Sequence, residues 1–479
     1  MSRDEIILIY NWSPYVIVKL LENLLSVISI QSSKIEEQEK AICALKGRIR
    51  ELEDERAKNS RNSSKPPSSD GVKREATKSM RKSSGSGVGG QKGHKGNTLQ
   101  MVDNPDKVVL HRVAQCKNCG LSLERSEAKD YERRQVFDIP PLVLEVTEYQ
   151  AEIRDCPNCG TRNKGDFVQD VQNPVQYGKR LKSLFVYLTN YQLLPYERTS
   201  ELIRDLFSHS LSQATLVNTN NLCYKLLEGV EKEIKKQLTN SPVINCDETG
   251  LYNNGKRQWL HVVSTPNLTH YAFHQKRGKK ATEDMDILPH FKGTAVHDFW
   301  KPYYNYSCNH GLCNAHHLRE LTFLYEQYNQ QWAKKMIYLL LEIKEKVAQE
   351  KLYSDGLDKR TINEFGEKYK RIIEEGHKAN PPPKAQPRKR GRNKQSRSKN
   401  LLDRLDIHRK EVLAFMYDFK VPFDNNLAER DLRMMKVQQK ISGAFRSDSG
   451  VRSFCRIRSY ISTVKKQGRN VIEAIQDVF

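Results

Sequence analysis

Two cysteine pairs constrain this chain more than any other feature of its sequence. Cys116-Lys117-Asn118-Cys119 and Cys156-Pro157-Asn158-Cys159 share one spacing, and a glycine follows each, Gly120 and Gly160. A tight turn of this kind presents two thiolates to one ion, the glycine frees backbone amides to approach sulfur, and two such knuckles complete a closed tetrahedral Zn²⁺ site. A closed site leaves no position for catalysis, so zinc on Cys116, Cys119, Cys156 and Cys159 is expected to be structural. The rival is a redox dithiol. Duplicated pairs with short β-like runs at 108–110 and 142–146 instead favour a small β-rich, zinc-ribbon-like module over 101–170. Ten cysteines in 479 residues are too few for a disulfide scaffold.

Upstream, a heptad runs with Leu21, Ile28, Ile35, Ile42 and Ile49 at one seam position and Leu24, Gln31, Gln38, Leu45 and Leu52 at the other. That period predicts a coiled coil over 15–57 and a homodimer through it; the alternative is an amphipathic helix packed on its own domain. The apolar stretch 15–30 is interrupted by Lys19, Glu22 and Asn23, short of the ~20 apolar residues a membrane span needs. No basic region leads to a small-residue cleavage site, so a cytoplasmic chain with no membrane partner is expected.

Lysine and arginine give the chain a formal charge of +22, which asks for a polyanion, with nucleic acid ahead of an anionic membrane. Much of the excess sits in two linker-like stretches. One, within 58–100, is rich in Ser, Gly, Lys and Pro; the other, 380–400, carries Lys384, Arg388, Lys389, Arg390, Arg392, Lys394, Arg397 and Lys399 without an acid.

Between them the texture is mixed, and the fold class expected is α+β multidomain. Residues 171–240 read as helices, with Leu181, Leu184, Phe185 and Leu188 on one face, then Leu202, Ile203, Leu206 and Phe207. Ser212 is a candidate N-cap for a further helix carrying Leu216, Leu222 and Leu226. The pair reads either as a DNA-binding helix-turn-helix or as an ordinary helical hairpin. From Pro242, strand-like runs at 243–246, 258–264 and 269–274, separated by Asn253-Asn254-Gly255 and Pro266-Asn267, predict an antiparallel meander. A further strand over 293–297, helices from His316 through Val347 and a helical segment from Leu401 to the end complete the chain.

Acids stand at special places in this part. Asp247 closes Val243-Ile244-Asn245-Cys246-Asp247, Asp298 closes Gly293-Thr294-Ala295-Val296-His297-Asp298, and Glu429 falls in the first turns of a helix capped by Asp424 or Asn425. Three carboxylates converging at a sheet edge would repel one another unless divalent cations neutralise them, and all-oxygen ligation favours Mg²⁺ or Mn²⁺. Singly, each has a plain structural use: Asp247 capping a turn with Thr249, Asp298 pairing with Lys301, Glu429 pairing with Arg433.

Over nearly its whole length the sequence resembles the insertion-sequence sixty-six family of bacterial transposases. The matching pieces run in order: the coiled coil, Asn59-Ser60-Arg61-Asn62-Ser63-Ser64-Lys65-Pro66-Pro67-Ser68-Ser69-Asp70-Gly71, the zinc module, Asp247-Glu248-Thr249-Gly250, His297-Asp298 and Asp424-Asn425-Asn426-Leu427-Ala428-Glu429-Arg430. The resemblance implies an RNase H-like α/β core over 241–479, with a helical insertion at about 318–420, and a catalytic Asp, Asp, Glu set at Asp247, Asp298 and Glu429 holding Mg²⁺ or Mn²⁺. It also implies DNA partners, the element's terminal inverted repeats and target DNA, with a nucleoid-associated location, and it admits companion proteins encoded by the element. Cys313-Asn314-Ala315-His316 resembles a Cys-x-x-His element of several transposase groups, and with Cys308 and His317 it either binds a second metal or packs around the site helix. Two other readings account for parts of the sequence: a zinc-containing DNA-binding regulator without catalysis, and an RNase H-like nuclease that hydrolyses without joining strands.

Overall fold

The computed structural model describes residues 2–59, 61–63, 99–382 and 395–479. Most of both basic stretches, 64–98 and 383–394, lies outside the described residues. The chain divides into two units, Ala76–Asn220 and the remainder, Met1–Glu75 with Asn221–Phe479.

The N-terminus is helical, α1 (Arg3–Trp12) followed by α2 (Pro14–Ala57), whose proline sits in the first turn where its missing N–H costs nothing. The seam residues Leu21, Leu24, Ile28, Ile35, Ile42, Leu45, Ile49 and Leu52 are all exposed, so α2 does not pack its apolar face on its own domain. Only its C-terminal end docks: Asp54 is buried, accepts a hydrogen bond from the Tyr328 hydroxyl at 2.5 Å and pairs with Arg397 at 3.4 Å. By length and composition alone, Tyr15–Ala57 is the one helix among the described residues apolar enough to cross a membrane, and its most apolar window is not buried.

In the smaller unit the knuckle turns dominate the zinc module. The strands there are β1 (Ile153–Asp155) and β2 (Arg162–Lys164), an antiparallel hairpin around the second cysteine pair with Ile153 opposite Lys164. The expected β-like runs at 108–110 and 142–146 form no strand. β-branched residues favour a strand only where a partner takes up their backbone groups, and Val108, Val109, Val143 and Val146 stand exposed. Helices α3 (Lys179–Val186), α4 (Tyr196–Phe207) and α5 (Gln213–Leu226) follow, and Phe185, Leu188, Ile203, Leu211 and Leu216 make their core. Ser208 turns the chain in the left-handed conformation, and the Ser212 hydroxyl accepts from the Thr215 amide at 3.2 Å, the expected cap. Leu206, Leu222 and Leu226, expected inside, are exposed.

After α6 (Glu228–Thr239) comes the sheet. β3 (Val243–Asn253), β4 (Lys256–Ser264) and β5 (Thr269–His274) form the predicted antiparallel meander, its first hairpin closed by Asn254 and Gly255, both at positive φ. A short helix α7 (Lys279–Asp284) leads to β6 (Thr294–His297) and β7 (Asn309–Leu312), which add in parallel on the other side of β3, giving the order β5-β4-β3-β6-β7. The junction is tight at Gly293, where a Cβ would come within 2.8 Å of the Ser241 carbonyl. Ile244, Cys246, Val263, Ile287, Phe291 and Ala295 pack beneath the sheet.

Helices α8 (Asn314–Tyr328), α9 (Gln331–Glu350), α10 (Lys359–Ala379), α11 (Arg397–Ile407), α12 (Arg409–Val412) and α13 (Ala414–Tyr417) form a separate cluster around Leu321, Trp332, Leu340, Tyr369, Leu402 and Phe415. The chain then returns to the sheet through α14 (Asn426–Ser442), α15 (Asp448–Lys466) and α16 (Val471–Gln476). α15 lies along the edge strand β5, and its hydroxyls take the place of a neighbouring strand. Ser459 accepts from the Tyr271 amide at 2.8 Å and Thr463 from the Thr269 amide at 3.0 Å, which satisfies an edge that would otherwise recruit another chain.

Candidate active site

Strand register brings the two aspartates together. β3 and β6 run parallel with Val243 opposite Thr294 and Asn245 opposite Val296; carried on by two residues, that register sets Asp247 opposite Asp298. β6 ends at His297, so Asp298 stands just past its carboxyl end. β3 does not end at Asp247, as its apolar run suggested: it continues to Asn253 because β4 still offers it a partner, with Asp247 opposite Val262. Asp247 therefore lies in mid-strand, beside the point where the parallel partner stops.

Asn425 brings in the third acid. This buried residue donates through Nδ2 to the Cys246 carbonyl and accepts at Oδ1 from Asn245 Nδ2, both at 2.8 Å, and its amide donates to Cys313 Sγ at 3.2 Å. It thus fastens the start of α14 to β3, and Glu429 lies on the first turn beyond. Asn425 is the N-cap of α14, but its side chain, spent on β3, makes no capping bond; Asp424, one residue earlier, accepts from the Asn426 amide at 3.2 Å. Glu429 has His316 Nδ1 at 3.7 Å and the Arg319 guanidinium at 4.0 Å as neighbours.

Electrostatics identify the place as strained. Burial pushes the Asp247 carboxyl well above the ordinary carboxylate range, and the charges of Glu248, Asp298 and Glu429 push it further, against one hydrogen bond from the Glu248 amide. Burial and Glu248 raise Asp298 likewise, opposed by His316 and Arg277. By donor chemistry three carboxyls suit an oxygen-seeking divalent cation, Mg²⁺ or Mn²⁺, while the oxygens of Asp247, Asp298 and Glu429 do not all lie within 4.8 Å of one another. His297, behind Asp298, is held neutral by burial, its pKa pushed down to about 3, and hydrogen-bonds the Asp298 carbonyl and His310.

Sequence reasoning missed the support beneath these acids. Glu248 has a side chain only 1% exposed; it accepts from Arg277 Nε at 3.0 Å and Nη2 at 2.6 Å, and from the Tyr303 hydroxyl at 2.8 Å. Arg277 is in turn stacked between Trp259 and Trp300, 4.9 and 4.7 Å from their ring centres. Glu248 adjoins Asp247 in the sequence, but nothing local to Arg277, Trp259 or Trp300 marks them as its partners.

The cysteine pairs each form the expected turn, twice over in the same geometry. Cys116 N donates to the Leu121 carbonyl and Gly120 N to the Cys116 carbonyl, both at 2.9 Å; Cys156 N and Gly160 N repeat this with Thr161 and Cys156 at 2.9 and 2.8 Å. Gly120 and Gly160 take φ of +75° and +70°. Hydrogen bonds from its own turn hold the Cys116 thiol below its ordinary range, and hydrogen bonds from Thr161 do the same for Cys159, which suits both to thiolate ligation. Each turn gathers its own two sulfurs; the four do not meet within 4.8 Å of one another.

Residues 174–453, which contain Asp247, Asp298 and Glu429, match the family model described as transposase IS66 family. Residues 114–160, which contain all four knuckle cysteines, match the zinc-finger binding domain of transposase IS66. Residues 25–100 match a family of unknown function. No curated protein matches the chain.

Proposed function

We propose that this chain, which belongs to the transposase IS66 family, cuts the ends of a mobile DNA element and joins them to target DNA with Asp247, Asp298 and Glu429. The observation that carries the reading is the register of β3 against β6, together with the Asn425 tether that delivers Glu429 to the same sheet edge. A mixed sheet in the order β5-β4-β3-β6-β7, with helices returning to it, supports an RNase H-like core over 241–479.

Asp247, Asp298 and Glu429 would hold two Mg²⁺ or Mn²⁺ ions. When bound, such ions supply Lewis-acid stabilisation to the attacking and leaving oxygens of an in-line phosphodiester displacement. The chain's own part is placement: β3 and β6 fix the two aspartates, Asn425 fixes α14, and Arg277 holds Glu248 so that its charge stays beneath the site. Water attacks first and frees a 3′-OH at the element end; that 3′-OH then attacks a target phosphodiester, displacing a target 3′ oxygen.

The knuckle cysteines would hold one structural Zn²⁺ in a module over 101–170, and the helices of 171–240 would contact terminal inverted repeats. The exposed seam of α2 supports a homodimer that holds two ends together, with 15–57 as its coiled coil. The working location is the cytoplasm, on DNA.

The test is cleavage of a duplex carrying the element's end. It should require Mg²⁺ or Mn²⁺ and be lost in Asp247→Asn, Asp298→Asn and Glu429→Gln. Cleavage that proceeds equally in chelator would leave the carboxylates a structural role, as in a DNA-binding regulator.

A further inference from the structure

Among the described residues one group of three metal-capable side chains lies within 4.8 Å, and it is not the aspartate pair: it is Cys313, His316 and Glu429. Cys313 ends the turn after β7 and precedes α8, His316 lies on the first turn of α8, and Glu429 reaches in from the first turn of α14.

Two atoms there lack what a buried polar atom requires. His316 Nδ1 and Glu429 Oε1 are both shielded from solvent without a hydrogen-bond partner, and they face each other at 3.7 Å, too far for a hydrogen bond. That separation is the edge of a coordination polyhedron, since ligands about 2.0–2.3 Å from a tetrahedral ion stand roughly 3.3–3.8 Å apart. The third donor is the Cys313 sulfur, already turned inward by the Asn425 amide. His317 is otherwise engaged, its Nδ1 on Asn314 Oδ1 at 3.1 Å, and Cys308 is not in the group. A cavity of about 180 Å³, lined by Cys313, His316 and Asp298, leaves room for solvent as a fourth ligand.

We infer that Cys313, His316 and Glu429 form a binding site for Zn²⁺, separate from the knuckle zinc. Sulfur, nitrogen and a single oxygen make a borderline donor set that suits Zn²⁺ and does not suit Mg²⁺. On binding, the Cys313 thiol proton passes to water and the sulfur ligates as thiolate. The site goes beyond the catalytic reading and does not depend on it, although both would meet at Glu429.

The experiment measures zinc per chain by mass spectrometry, on full-length protein stripped of metal, reloaded with Zn²⁺ and passed through a weak chelator. Cys313→Ala and His316→Ala should each hold one zinc fewer than wild type, and Cys116→Ser with Cys159→Ser should lose the other. Should either site variant fail to fold, Glu429→Gln, which keeps the side chain's shape, gives the same readout. Asp247→Asn should keep its full zinc whatever happens to its DNA cleavage, which separates the failure of this site from failure of the catalytic reading. Zinc content unchanged in Cys313→Ala, His316→Ala and Glu429→Gln would overturn the site.

Discussion

Asp247 is a carboxyl that the fold makes costly to ionise, and that gives the residue scale its sharpest consequence. Its folded pKa stands well above the ordinary 3.8, first through burial and then through Glu248, so the stability it contributes is present below 3.8 and is lost as pH rises through the raised value. In metal-free buffer the melting temperature should therefore fall as pH climbs above about 4, and Asp247→Asn should flatten that fall and melt higher than wild type near neutrality. Mg²⁺ should raise the wild-type melting temperature more than the variant's; a variant that melts lower than wild type at neutral pH contradicts the account. Arg277 gives the opposite sign. Arg277→Ala leaves Glu248 buried with the Tyr303 hydroxyl alone, and it should destabilise the chain by roughly 2–3 kcal/mol in urea titrations. The acids Asp247 and Asp298 were legible in the sequence because a charge at the end of an apolar strand run is out of place. Glu248, printed beside Asp247, was not legible as a buried ion pair, because its partner's position depends on two tryptophans brought in by tertiary packing.

Elements were legible where local chemistry decides them. Asn254-Gly255 supplies two left-handed residues, so the β3–β4 hairpin followed from its turn. Strand-like runs at 108–110 and 142–146 misled because a strand is a property of a pair, and the module pairs 153–155 with 162–164 around its second knuckle instead. The parallel addition of β6 and β7, which aligns Asp298 with Asp247, has no local signature at all. For α2 the seam residues are exposed along its length, and a partner helix is the simplest cover for them. Ile35→Glu with Ile42→Glu should therefore halve the mass seen by light scattering while leaving the sheet domain's melting unchanged. A wild-type chain that is already monomeric at micromolar concentration would remove the coiled-coil dimer.

Across the whole molecule, charge and chemistry are divided. The basic excess concentrates in stretches lying mostly outside the described residues, whereas the three acids belong to the larger unit, around the point where β6 stops beside β3. Asp54 fastens the end of α2 to Tyr328 and Arg397 of the helical cluster, so in a dimer the pairing element would be joined to the catalytic unit rather than hung from it. On the proposed reading phosphate contacts would position DNA and a metal-bearing trio would cut it, and a nuclease that only hydrolyses would need the same trio. Joining is what separates the two. The decisive measurement gives the enzyme a pre-cleaved element end with a free 3′-OH and a target duplex in Mg²⁺, and follows the joined product. Wild type should join the strands, and Asp247→Asn, Asp298→Asn and Glu429→Gln should each fall by at least about a hundredfold. Variants that join as well as wild type, or a wild type that cleaves ends yet never joins them, would contradict the account.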